Sequence, residues 1–90
     1  MSLHTVSIDV HAHWGDKPPV YRVYVDNDLL TERDFTWPGP EIFIQEQIIV
    51  NLTPGAHSVK IEHANRHGTI TVKNIQVNGQ ASAADFVISE

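Results

Sequence analysis

The sequence predicts an all-β chain: one antiparallel β-sandwich or jelly roll of about seven to eight strands, with residues 1–90 forming a single domain. Two observations carry that expectation. Between Pro19 and Gly79, short runs rich in Val, Ile and Tyr alternate with clusters of turn residues. Ahead of them, Thr5 to Trp14 alternates apolar and polar residues with period two, the signature of a half-buried strand.

In the first strand Val6, Ile8, Val10, Ala12 and Trp14 fall on one face, and Thr5, Ser7, Asp9, His11 and His13 on the other. Gly15 to Pro19 is a loop. The second strand sets Tyr21, Val23 and Val25 inward against Arg22, Tyr24 and Asp26. The Asp26-Asn27-Asp28 turn suits residues that tolerate left-handed backbone, and Leu29 to Trp37 returns as a third strand. Arg33, Phe35 and Trp37 share its face. Trp37-Pro-Gly-Pro40 breaks the sheet, and the fourth strand, Glu41 to Leu52, sets Ile42, Ile44, Glu46, Ile48, Val50 and Leu52 inward. Glu46 interrupts that apolar set. Either a bulge near Gln45 turns it outward or it is buried beside a partner, and Arg33 is the candidate for a structural ion pair.

Thr53-Pro-Gly55 turns into the fifth strand, where His57, Val59, Ile61 and His63 alternate with Ser58, Lys60 and Glu62. His57 and His63 are expected to cap its ends through backbone hydrogen bonds. Ala64 to Gly68 is a loop. In the sixth strand Ile70 and Val72 have one parity and Ile75 and Val77 the other, which a bulge at Lys73-Asn74 reconciles. Asn78-Gly79 marks a hairpin turn, and Phe86 to Ile88 closes the sheet as a short last strand.

A chain of 90 residues buries a modest core, and without cysteine no disulfide can staple it, so oligomerisation or docking is the expected source of added stability. The net charge of −5 and the scatter of the six basic residues argue against nucleic acid as a partner. No apolar run approaches the roughly 20 residues of a membrane span. The first residues lack a basic segment followed by an apolar one, so no signal peptide is expected.

The six histidines are the natural place to look for chemistry. His11 and His13, at i and i+2 on one strand face, stand roughly 6–7 Å apart and could begin a zinc or nickel site with a further ligand. His63 and His67 have an H-x3-H spacing. Both pairs are weak metal candidates, and no metal site is expected from either. Asp26 and Asp28 could ligate calcium with backbone carbonyls, although two carboxylates and an amide are a common hairpin turn and a plain Asx turn is the preferred reading. No nucleophile motif and no glycine-rich phosphate loop occurs, so the chain is not expected to be an enzyme. Trp14 and Trp37 fit the inner parity and are expected in the core, leaving Tyr24 as the exposed aromatic. Tyr24, His11, His13, Asp26, Asp28 and Asn65 form the candidate binding set.

Two resemblances follow from these segments. Pro19 to Asp26, Val50-Asn-Leu-Thr-Pro-Gly-Ala-His57 and Asn74-Ile-Gln-Val-Asn-Gly79 resemble the strand-and-turn order of jelly-roll carbohydrate-binding modules of the calcium-dependent xylan-binding type. Those modules hold calcium and sugar with acidic and amide residues in the loop before the final strands. The corresponding loop here, His63 to Gly68, offers Asn65 and no carboxylate. Tyr21 to Arg33, with Phe35, Trp37 and the Thr53-Pro-Gly55 turn, resembles the core of small virion proteins of tailed bacteriophages, including those of cyanobacteria. That likeness implies a non-enzymatic structural role as a capsid decoration or cement protein, or as a tail or fibre component. It also implies virion localisation, capsid or tail proteins as partners, and a homo-oligomer such as a trimer. The alternative expectation is a carbohydrate-binding module that takes a polysaccharide, with calcium its one candidate cofactor.

Overall fold

A computed structural model of the chain describes residues 2–89. Among them there is no helix, and eight strands form two antiparallel four-stranded sheets packed as a β-sandwich. The strands are β1 (Ser2–His13), β2 (Val20–Val25), β3 (Asp28–Asp34), β4 (Ile44–Leu52), β5 (Gly55–His63), β6 (Thr69–Val77), β7 (Gln80–Ala81) and β8 (Asp85–Ile88). The first sheet runs β4-β1-β6-β7 and the second β3-β2-β5-β8. Only β2–β3 and β6–β7 are hairpins within a sheet, and every other connection crosses between sheets.

Both hairpins use two-residue turns whose central residues have positive φ. These are Asp26 (53°) and Asn27 (70°) in one, and Asn78 (53°) and Gly79 (80°) in the other. That backbone matches the right-handed twist of the flanking strands, and Asn, Asp and Gly accept it at low cost. The phase change in β6 is a bulge in which Asn74 and Ile75 together oppose Ile8, with Asn74 at φ 55°. The bulge returns Ile75 and Val77 to the side of Ile70, and all three pack against the core.

The core lies between the sheets. Val6, Ile8, Val10 and Ala12 from β1 meet Tyr21, Val23 and Val25 from β2, with Phe35, Leu52, Val59, Phe86 and Ile88 completing it. Removing this apolar surface from water is the main stabilising term.

Several expectations need correction. Ser7 and His11 are buried although they lie on the outer parity of β1. β1 is flanked on both sides, so Ser7 is shadowed by its cross-strand neighbours Gln47 and Gln76. The third strand ends at Asp34, and Trp37 lies beyond it, about two-fifths exposed, packed on Gly39 with Nε1 donating to Pro40 O at 2.7 Å. The fourth strand starts at Ile44 and leaves Ile42 exposed. Trp14 is half-buried past the end of β1, and its buried Nε1 has no hydrogen-bond partner.

Candidate functional site

The residues expected to form one binding surface are dispersed by the sandwich. Tyr24 lies on the outer side of the second sheet, whereas His11 and His13 belong to β1 of the first, so the three cannot line a common groove. Tyr24 is half-buried. Lys60 Nζ sits 4.6 Å from its ring centroid, and its hydroxyl donates to Glu62 Oε1 at 3.3 Å. Arg22 joins the same surface network, with Glu32 at 2.6 Å and Glu62 at 3.3 Å. His11 is turned under the chain that crosses from β3 to β4. Its ring meets Phe35 edge-on at 5.5 Å and Phe43 at 5.7 Å, and Nδ1 donates to Ile42 O at 2.8 Å. His13 is exposed at the strand end, so the two imidazoles share no open surface.

The loop candidates serve the backbone. Asn65 Oδ1 accepts from Val20 N at 3.1 Å, and its Nδ2 donates to Pro18 O at 3.1 Å, so its amide fastens one loop to another. His63 Nε2 donates to the His67 carbonyl at 2.9 Å, and His67 Nδ1 donates to Asp16 Oδ1 at 3.0 Å. The H-x3-H pair therefore faces two different acceptors. Among the described residues no group of three or more His, Asp or Glu side chains is arranged to hold a metal ion.

Asp26 and His57 form the tightest polar cluster. The register Val25↔Val59 carries β2 and β5 forward so that the hairpin turn lies against the start of β5. There Asp26 N donates to Ser58 O at 2.9 Å, and Ser58 N returns a bond to Asp26 Oδ1 at 2.9 Å. His57 Nδ1 donates to Asp26 Oδ2 at 2.5 Å, and its Nε2 donates to Thr53 O at 2.6 Å. Neither acceptor can supply a proton, so both ring nitrogens carry hydrogen and the imidazolium is the favoured form. The Thr53 carbonyl, then Asp26, raise the His57 pKa above its ordinary value. Burial pushes Asp26 upward, but hydrogen bonds from His57 and Ser58 outweigh it and hold the carboxyl below the usual range. Asp28 is exposed beside this turn, and a calcium ion there would compete with His57 for Asp26. The cluster borders an open cavity of about 380 Å³ whose far wall is Asp85, Phe86 and Val87 of β8.

Arg33 and Glu46 meet between the edge strands β3 and β4. Arg33 Nε and Nη2 both reach Glu46 Oε1 at 2.9 Å. The Glu46 side chain keeps 5 % of its surface and that of Arg33 48 %, so one member is buried and the other half in water. No bulge turns Glu46 away, since β4 runs in unbroken register with β1. Behind the pair lies Tyr21, whose buried hydroxyl lacks a partner of hydrogen-bond geometry. Burial first, then the Glu46 carboxylate, push its pKa up to about 12. A polar crevice of about 460 Å³ opens beside them, lined by Leu30, Thr31, Arg33 and Gln45 to Ile48.

The longest unpaired edge belongs to β4. β7 has two residues and β8 four, and β3 is charged and bulged where Leu30 is skipped between the pairs Tyr24↔Leu29 and Val23↔Thr31. β4 has nine residues, no bulge and no basic residue or proline. On the outer side of its sheet Ile49 is 68 % exposed opposite Thr5, and Leu3, 66 % exposed, lies diagonally beside it. Sequence reasoning placed Ile49 outward by parity. Leu3 escapes it because the apolar–polar alternation begins only at Thr5: Leu3 shares the parity of Thr5 and Ser7 and so breaks the pattern, although the strand itself starts at Ser2.

Comparison of the chain with protein-family models, curated proteins and solved structures returns no match. Its class is therefore defined by architecture: a small two-sheet β-sandwich whose longest open edge is β4.

Proposed function

We propose that this chain is a non-catalytic assembly protein that self-associates and joins other chains in a larger protein shell, as a decoration, cement or tail component of a virion does. The observation that carries the reading is the apolar corner formed by Leu3 and Ile49 beside the open edge of β4. Large aliphatic side chains adjacent to unpaired strand backbone favour protein partners, because burial and main-chain hydrogen bonding are satisfied together. The polar clusters support the same reading. His57 directs both ring nitrogens at acceptors of its own chain, Asp26 and the Thr53 carbonyl, and Asn65 and Glu46 are committed to holding loops and sheets. The resemblance of Tyr21 to Arg33 to phage virion proteins supplies the setting.

Sedimentation velocity on untagged protein over a wide concentration range tests this. The expected result is reversible self-association, abolished when Leu3 and Ile49 are both replaced by Glu, with the strand signature of the far-UV spectrum retained. A monomer at every concentration overturns the reading. A monomer that also binds a polysaccharide in calcium, and loses it in chelator, would favour the carbohydrate-binding alternative.

A further inference from the structure

We propose that the β4 edge pairs with the β4 edge of a second copy of this chain, antiparallel, about a two-fold axis midway between Ile49 and its image. The inference rests on the assembly reading above and names the partner at that corner. A two-fold axis forces paired strands to run antiparallel and each residue to meet its image across the axis. β4 reads Ile44-Gln-Glu-Gln-Ile-Ile-Val-Asn-Leu52, with Gln45, Gln47, Ile49 and Asn51 outward and the rest inward. With the axis at Ile49, Ile49 meets its own copy, Gln47 meets Asn51 of the second copy, and Ile48 meets Val50. Amide faces amide on the outer side, and on the inner side aliphatic faces aliphatic at Ile48 and Val50, with Glu46 opposite Leu52. Moving the axis one residue, to Ile48, sets Gln47 against Ile49 and loses that match.

Charge points the same way. The chain carries −5 overall, so most of its surface repels a second copy. β4 has a single charged residue, Glu46, which is turned inward and already paired with Arg33 of its own chain. With the axis at Ile49, Glu46 lies opposite Leu52 and away from its image, so no like charges meet. The other long edge, β3, carries Asp28, Glu32, Arg33 and Asp34. Leu3, diagonal to Ile49, would extend the apolar contact on the outer face of both copies.

The absence of cysteine allows a direct test. Cα atoms of directly opposed residues in an antiparallel pair are roughly 4.5–5.5 Å apart, within the span a disulfide bridges. Untagged Ile49→Cys protein under mild oxidation is expected to give a disulfide-linked dimer. Gln47→Cys alone is expected to give none, because its image lies four residues along, about 13 Å away. An equimolar mixture of Gln47→Cys and Asn51→Cys is expected to cross-link. Lys60→Cys, on the other sheet, reports random collision. Self-association in sedimentation without the Ile49→Cys dimer, or cross-linking no greater than that of Lys60→Cys, overturns the two-fold pairing and leaves the assembly reading standing. A monomeric native chain overturns both.

Discussion

His57 holds two turns with one ring. Its Nδ1 reaches the β2–β3 hairpin at Asp26 and its Nε2 reaches the β4–β5 turn at Thr53. The neutral ring can donate only once, so deprotonation leaves one acceptor facing a bare nitrogen. The folded His57 pKa is raised above 6.5, so its stabilisation is complete below that value and lost as pH rises through the raised value. Asp26 is lowered below 3.8, so its contribution is complete above that value and lost as pH falls through the lowered one. The clasp is whole between pH 3.8 and 6.5. The urea midpoint is therefore expected to fall as pH rises past 6.5, and His57→Gln is expected to flatten that limb. An unchanged slope in the variant would remove His57 from the account. The pairing was hidden in the sequence because Asp26 and His57 are 31 residues apart and meet only through the register of β2 with β5.

Strands and turns were the legible part, because their determinants are local. Alternation of Tyr21, Val23 and Val25 identifies the inner side of β2, and the parity change between Val72 and Ile75 marks the bulge that Asn74 makes with its left-handed backbone. Crossings between sheets were not legible. His11 is covered by a segment whose path depends on where β3 ends, and Trp37 leaves the core because that strand stops at Asp34. The loop from Ala64 to Gly68 also depends on tertiary approach. Gly68 has φ 70°, and a Cβ there would overlap the His13 carbonyl oxygen and lie 2.8 Å from Pro19 Cγ. Backbone cannot yield as a side chain end can, so Gly68→Ala is expected to cost about 3 kcal/mol. Urea unfolding with an unchanged m-value checks it.

At the scale of the whole molecule, the sandwich is thin. Its principal extents are 46 × 21 × 17 Å, and its core is drawn largely from β1 and β2, with Leu52 from β4, Val59 from β5, Phe86 and Ile88 from β8, and Phe35 from the segment after β3. A fold of this size has little reserve, and pairing of copies adds stability by mass action. At concentrations a hundredfold above the dissociation constant, that gain is about 2.7 kcal/mol, which raises the melting midpoint of so small a domain by on the order of 10 °C. Calorimetry at several protein concentrations is expected to show this rise, and the Leu3→Glu, Ile49→Glu double variant is expected to lose it. Arg33 and Glu46 tie the two sheets together on the side where that pairing would occur.

The interior position of β1 also bears on synthesis. Both of its neighbours, β4 and β6, are encoded downstream, and the second is complete only at Val77. During translation β1 emerges with its apolar row of Val6, Ile8 and Val10 and waits on the order of several seconds for its flanking strands. Over that interval the exposed row is open to contacts with other chains, so the yield of folded protein is expected to depend on the rate of elongation.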